Sequence, residues 1–416
     1  MTTNTRPRLG RRLALTAAKL SLLGMSILVA LAGIELALRA TGAKPLTATA
    51  LSAYFEFSPE TGWIGRPHSA ANFTTAAFDA FISHDATGLR RCGREGALDD
   101  DGHFEGEVVW CLGDSGTWGW GIDDGYTYVD LLNEIDGEAR LYRNFGMCGY
   151  SSVQQWLLLK DFFARGQRPD RVVILFCGND LEENLDKWSQ DPPRPYFEVI
   201  DGTLELQNYP VRPSHNWNAR AWFKKHSLAY NYLNYYLIRA KNRLREWRNP
   251  TAPVVQPGVP ADAPTDAPTE QDAAQEMLAA ATSGAAHGAT GGESAATLPL
   301  GAQFPEPLAT QLRALGEAYR LTKALCDEYG VELAVATESH VQADWLRQVC
   351  TPIDVPVLDL WRHWHAYLAT HDEPTSFHTD PHFNRLGHRL LAESIRSELT
   401  RLDVAARREA GTAEPR

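Results

Sequence analysis

Cysteine is scarce in this chain of 416 residues: Cys92, Cys111, Cys148, Cys177, Cys326 and Cys350 stand far apart, with no CxxC pair and no dense framework. That pattern excludes a disulfide-built scaffold and a cysteine-ligated zinc site. Cys111, Cys148 and Cys177 lie in or beside apolar runs and read as small core residues, while one bridge, Cys326 to Cys350, stays open on spacing alone. Positive charge is also short. The formal net charge is −12, and no clustered cationic surface is expected past the N-terminus, which argues against a nucleic-acid partner and for a small neutral or glycan-like substrate. No internal repeat is visible. What is present is a globular composition, 44% hydrophobic and 22% charged, in a chain long enough for one large domain or two modest ones.

The start of the chain has a membrane-targeting pattern. Arg6, Arg8, Arg11, Arg12 and Lys19 precede an apolar run from Leu20 to Ile34 that continues past Glu35 through Leu38. Under the positive-inside rule the cationic flank stays in the cytoplasm and everything after about Ala40 crosses. The run is short for a span of about 20 residues, so a cleaved signal peptide competes with a permanent anchor. No small-x-small site directly follows the apolar core, which favours the anchor.

Residues 1–42 are therefore assigned to a cytoplasmic tail and anchor, and 43–106, mixing aromatics with Gly and Pro, to an extended lead-in without chemistry of its own. From Glu107 apolar strands alternate with helices: a strand at Val108–Leu112, a helix at Tyr128–Ile135, a strand at Leu141–Phe145, a helix at Ser152–Phe163, a strand at Arg171–Cys177. Continuous apolar strands separated by helices predict a parallel sheet covered on both faces. The rhythm breaks over 185–249, a cap-like insertion with a hairpin-like piece at Asp201 and Gly202 and an aromatic helix near Tyr230–Arg245. Residues 250–303, rich in Ala, Pro and Gly, predict a disordered loop. The α/β pattern resumes over 304–402 with an amphipathic last helix through Leu386, Leu390, Leu391, Ile395 and Leu399, and 403–416 reads as a disordered tail.

Four blocks carry chemistry. In VVWCLGDSGTWGWG a strand ends at Gly113-Asp114-Ser115, the carboxyl end of a strand being where a nucleophile belongs in an open α/β sheet. In NFGMCGYSS, Gly149 follows a strand and leaves its backbone N–H uncovered, as an oxyanion donor requires. In VVILFCGNDLEEN, Asn179 follows the most convincing strand, and a side-chain amide there can serve an oxyanion, with Asp180 reading as structural. In FHTDPHFNRLGH, Asn384 can cap the last helix, leaving Asp380 and His382 in the loop before it. Each block alone is also what an ordinary turn would carry. His378 and His388 read as structural or solvent-exposed.

Their order is more specific than any one of them. The chain resembles the SGNH, or GDSL-like, hydrolase superfamily, with Ser115, Gly149, Asn179 and His382 at its four signature positions, and GDSGTWGWGIDDGYTYVDLL resembles its membrane-anchored bacterial members. The likeness covers 107–183 and about 305–402. It implies a three-layer α/β/α sandwich with a flavodoxin-like parallel sheet, and nucleophilic acyl transfer by Ser115 with His382 as base, Asp380 behind it, and Ser115, Gly149 and Asn179 around the oxyanion. It also implies a single-pass protein of the bacterial inner membrane with its catalytic domain on the periplasmic or extracellular side. Many members place the acid three residues before the histidine, where this chain has Thr379. The shorter Asp380-x-His382 spacing resembles that of alginate-acetylation proteins and points toward acyl transfer.

The resulting expectation is a serine hydrolase of O-acyl esters, O-acetyl foremost, on a small molecule or an acetylated glycan. One rival keeps the site but makes the acceptor a polysaccharide hydroxyl, giving an O-acyltransferase. Another is a catalytically silent glycan-binding scaffold on the same fold. A metal set of His378, Asp380 and His382 is geometrically awkward without further partners, so neither a metal nor a cofactor is expected.

Overall fold

The computed structural model describes residues 7–46, 51–94, 104–187, 194–213, 222–223, 226–248, 304–378 and 380–412. Thr379, residues 250–303, where a disordered loop is expected, and the last four residues of the expected tail lie outside the described residues. The chain divides into two units: Met1–Ala50, Thr74–Ala76 and Asn216–Pro250 form the smaller, and Leu51–Phe73, Ala77–His215 and Thr251–Arg416 the larger.

In chain order the elements are α1 (Pro7–Ala40), α2 (Leu51–Tyr54), β1 (Phe55–Ser58), β2 (Gly62–Gly65), β3 (Ala70–Thr74), β4 (Asp79–Ser83), β5 (Glu107–Gly113) and α3 (Ser115–Trp118). There follow α4 (Tyr128–Asp136), β6 (Arg140–Gly146), α5 (Ser152–Ala164), β7 (Arg171–Leu175), α6 (Asp180–Glu183), β8 (Tyr196–Ile200), β9 (Thr203–Gln207) and α7 (Leu228–Arg248). The last are α8 (Leu308–Tyr329), β10 (Glu332–Thr337), α9 (His340–Cys350), β11 (Val357–Asp359), α10 (Trp361–Leu368), β12 (Ser376–Phe377), β13 (Asp380–Phe383) and α11 (Arg385–Thr412).

In the larger unit five strands form one parallel sheet in the order β11-β10-β7-β5-β6. Numbered along the chain this is the 2-1-3-4-5 order of flavodoxin-like folds. Side chains alternate across it, as the period of two requires. Val109, Cys111, Val173 and Leu175 pack with Tyr128 and Leu132 of α4 and Leu391 and Ile395 of α11. On the other face Trp110, Leu112, Val172 and Ile174 pack with Leu158 and Phe162 of α5, Leu312 and Leu315 of α8 and Leu346 of α9. The result is the three-layer α/β/α sandwich the sequence predicts. Cys326 and Cys350 are both buried and unbridged, so the open disulfide does not form; burial alone accounts for them.

At the amino ends of the strands, away from the carboxyl ends where ligands gather, charge is paired across the sheet. Arg171 Nη2 meets Glu332 Oε2 at 2.6 Å and Asp403 Oδ1 at 3.0 Å, and Arg140 Nε meets Glu107 Oε2 at 2.6 Å. Asp403 lies on α11, which runs to Thr412. Residues 403–412 are therefore helical rather than part of a disordered tail, because that helix still has a charge partner to reach beyond its apolar stripe.

The cap-like insertion is not one body. Its hairpin β8–β9 belongs to the larger unit, where Phe197, with Leu204 and Leu206 against it, packs on Val153 and Leu157 of α5 and Ala314 and Ala318 of α8. Its aromatic helix α7 belongs to the smaller unit with α1. Within α1, Leu15–Ala40 is a 26-residue stretch long and apolar enough to cross a membrane. The lead-in folds into the two-stranded pairs β1–β2 and β3–β4.

Candidate active site

The 2-1-3-4-5 order puts the crossover between β5 and β7, the place where an open α/β sheet leaves a crevice at its carboxyl edge. Ser115 follows β5 there, flanked by the turn after β6, which carries Gly149, and the turn after β7, which carries Asn179. The glycines that close β5 and β6 let the chain turn tightly. A Cβ on Gly113 would sit 2.2 Å from Thr117 Oγ1, and one on Gly146 would sit 2.2 Å from Trp118 N. Gly149 has φ +71° and sits in a turn closed by Tyr150 N–H to the Met147 carbonyl at 3.1 Å.

Ser115 Oγ lies 2.8 Å from His382 Nε2, across 267 residues of sequence. His382 Nδ1 lies 2.5 Å from Asp380 Oδ1, which also accepts the His382 backbone N–H at 3.0 Å. A carboxylate on Nδ1 fixes the proton there and leaves Nε2 as an acceptor facing the serine hydroxyl. Asp380 and His382 stand on β13 rather than in a loop, because β12 pairs with it and Asn384 Oδ1 then accepts Leu386 and Gly387 N–H to start α11. Burial works against the Asp380 charge, but hydrogen bonds from the His382 ring and backbone and from the Trp120 indole outweigh it and hold the carboxyl below its ordinary range.

Sequence reasoning passes over Trp120. Its Nε1 donates to Asp380 Oδ2 at 3.1 Å, and its ring stacks on His382 with centroids 4.8 Å apart and planes at 17°. It lies within the same GDSGTWGWG run as the serine, which is the one signal that could have pointed to it.

Asn179 does not cap α6 with its side chain. Its Nδ2 donates to Asp114 Oδ2 at 3.0 Å, and the amide also hydrogen-bonds Glu183. Asp114 Oδ1 accepts Gly116 N–H at 2.9 Å and the Cys177 thiol at 3.3 Å, so this buried carboxylate ties the turns after β5 and β7 together. Asp180 is fully buried; burial, then the nearby Asp114 charge, pushes its carboxyl well above the usual range.

The lead-in supplies the underside of the serine turn. Arg90, fully buried, donates to the carbonyls of Trp118 at 3.1 Å and Ile122 at 2.6 Å and pairs with Asp124 at 3.1 Å. His84 Nε2 accepts the Trp118 indole N–H at 2.9 Å. Burial, with Arg90 beside it, pushes His84 down to about 4. His388 is buried as well, accepting Tyr128 N–H at Nδ1 at 3.0 Å, and His378 is exposed. Among the described residues no group of three or more His, Cys, Asp and Glu side chains is placed to hold a metal ion. An open cleft of about 560 Å³ adjoins the site, lined in part by Phe78, Gly121, Phe377, Asn384 and Arg385.

A family model described as the GDSL-like lipase/acylhydrolase family matches residues 111–335. The matched span contains Ser115, Gly149 and Asn179 and stops before Asp380 and His382. Among solved structures, the chain is similar to a member of the lipolytic protein G-D-S-L family from Veillonella parvula, at 12% identity and TM-score 0.34, over 71% of this chain and 98% of that one. It is similar too to an alpha/beta hydrolase enzyme from the metagenome of Lake Arreo, at 13% identity and TM-score 0.33, over 71% and 96%. A third is an acetylxylan esterase from Geobacillus stearothermophilus, at 12% identity and TM-score 0.30, over 71% and 94%. No curated protein matches the chain.

Proposed function

This chain belongs to the GDSL-like lipase/acylhydrolase family, and from that premise we propose that it is a serine esterase of O-acyl esters whose nucleophile is Ser115. The observation that carries the reading is the line from Asp380 through His382 to Ser115, at 2.5 Å and 2.8 Å. His382 Nε2 takes the hydroxyl proton as Ser115 Oγ attacks the ester carbonyl, and Asp380 stabilises the imidazolium that forms. The tetrahedral oxyanion is held by the N–H groups of Ser115 and Gly149 and by one Asn179 amide hydrogen, which gives up a carboxylate partner when substrate arrives. Collapse expels the alcohol, which takes the proton from His382, and leaves an acyl-Ser115. Water, activated by the same imidazole, then releases the acid.

Acetyl is the acyl group we assign, on the Asp380-x-His382 spacing that resembles acetyl-handling envelope enzymes. The same spacing favours a second reading in which a sugar hydroxyl replaces water. An acetylated oligosaccharide, incubated with the full chain and an unacetylated acceptor, separates them: free acetate as the dominant product supports hydrolysis, and acetyl on the acceptor supports transfer. Neither product above the Ser115→Ala background contradicts both and leaves a binding scaffold.

We also place the chain in the bacterial inner membrane through an uncleaved α1, with the larger unit on the periplasmic or extracellular side. Leu15–Ala40 is long enough to span, and the arginines before it favour the cytoplasm. Residues at its end are also built into the fold of the smaller unit, which a discarded leader would not be. Glu35 Oε2 accepts Ala229 N–H at 2.8 Å and the Ser227 hydroxyl at 2.9 Å, and Lys44 and Pro45 carbonyls accept Tyr232 OH and Ala76 N–H.

A further inference from the structure

An ionisable residue near the end of an apolar span is costly unless it is paired. Glu35 is paired with another part of the chain. Besides Ala229 and Ser227, its carboxylate accepts Leu228 N–H at 3.3 Å and Arg39 Nε at 2.7 Å, while Arg39 Nη2 donates to the His226 carbonyl at 3.0 Å. Leu228 and Ala229 give the opening N–H groups of α7, where a carboxylate also meets the favourable end of the helix dipole. Glu35 lies five residues before the end of the apolar stretch at Ala40, about 8 Å along the helix axis at 1.5 Å per residue. The polar headgroup zone on each side of a bilayer is of that thickness, about 5–8 Å. If α1 spans the membrane, these contacts hold the start of α7 at the level of the interface.

The surface of α7 suits that place. Its opposite side buries Asn231 and Tyr235, while Leu233, Tyr236 and Leu237, at positions i, i+3 and i+4, are 46%, 58% and 59% exposed. Just before the helix Trp222 and Phe223 are exposed too, packed edge to face at 5.0 Å. Single exposed hydrophobics are ordinary; an outward stripe at helical spacing beside exposed aromatics is not. From Trp222 to Arg248 the sequence also holds seven Lys and Arg against the single Glu246, in a chain of net charge −12. This is an exception to the expectation that no cationic cluster follows the N-terminus. Apolar and aromatic residues interleaved with cations mark a segment that lies in a membrane surface.

We propose that Trp222, Phe223 and α7 form an interfacial element, with Leu233, Tyr236 and Leu237 in the headgroup boundary of the bilayer that α1 spans, in a stretch of sequence whose excess of Lys and Arg favours anionic phospholipids. The proposal rests on the reading of α1 as an uncleaved anchor. The test uses the full chain in phosphatidylcholine vesicles with and without phosphatidylglycerol, carrying an environment-sensitive fluorophore at Leu237→Cys or, separately, at Tyr236→Cys. Unsubstituted protein gives the labelling background of the native cysteines. Expected are blue-shifted emission, quenching by lipid-borne bromine, and a severalfold lower quenching by iodide, all weakened when the anionic lipid is omitted. Carbonate extraction runs alongside. If the chain stays in the vesicles while both labels emit as in water and iodide quenches them fully, the interfacial assignment alone is overturned. If carbonate strips the chain from vesicles, the anchor reading fails and takes this assignment with it.

Discussion

In the proposed mechanism the reactivity of the Ser115 hydroxyl depends on two residues that lie far from it in sequence, Asp380 and His382, and each can be separated from the others. Asp380→Asn keeps the shape of the pair but lets the imidazole settle in the wrong tautomer, so kcat is expected to fall by about 10³–10⁴-fold with KM little changed. An Asp380→Asn enzyme within tenfold of the wild type would show that the short Asp380–His382 contact has no catalytic role. Trp120 acts on the same carboxylate from the other side. Trp120→Phe removes the indole N–H and retains an aromatic ring for His382 to stack on. Losing a hydrogen bond to a charged group, about 1.5–3 kcal/mol, predicts a drop in kcat of roughly 10–100-fold, because that bond helps to fix the Asp380 orientation. Replacement by His or Gln, which restores a donor, should recover part of the loss; no recovery would make Trp120 a packing residue only.

At the scale of elements, the site depends on how closely α3 approaches β6. Gly146→Ala would place a methyl 2.2 Å from Trp118 N and 2.5 Å from the Thr117 carbonyl carbon. Backbone cannot swing aside as a side chain can, so α3 must move, at a cost of about 1–3 kcal/mol. Both the denaturation midpoint and kcat should fall. A fully active, fully stable Gly146→Ala protein would mean that the close approach is incidental. Elements of this kind were legible in the sequence wherever burial on both faces produced continuous apolar runs: β5, β6 and β7 and the helices between them fall within a residue or two of expectation. The lead-in was less legible. Its strands are four or five residues long with mixed burial, too short for alternation to register, and the importance of His84 and Arg90 lies in what they meet 30 residues on. The site shows the same division. Ser115 stood out by its strand-end position and His382 by motif order, with Asp380 marked only by its place two residues before the histidine, whereas Asp114 and Trp120 act through other side chains and have no spacing to betray them. The insertion misled for a related reason: its continuity in sequence hid that its hairpin and its helix find partners in different units.

For the molecule as a whole, two buried imidazoles contribute to the pH dependence of stability. Burial first, then the Arg90 charge, lowers His84 to about 4 and His388 to about 3. An unfolded histidine titrates near 6.5, so between that value and the folded values the unfolded state binds more protons. Stability contributed by these groups is present above about pH 6.5 and is lost as pH falls toward 4 and 3. Denaturant titrations across pH 4–6.5 should show these two imidazoles adding about two protons to the uptake on unfolding, offset in part by buried carboxyls such as Asp180 that release theirs, and His388→Gln should lower the uptake by about one. A slope that His388→Gln leaves unchanged would assign the acid lability elsewhere.

The central claim is that Ser115 is an activated nucleophile. A fluorophosphonate probe phosphonylates such a serine and leaves an adduct that mass spectrometry can localise. Incubated with the full chain, it is predicted to modify the peptide carrying Ser115, to leave Ser115→Ala unlabelled, and to label His382→Ala at a small fraction of the wild-type rate. Equal labelling of the wild type and Ser115→Ala, or an adduct mapped to another residue, would contradict the account.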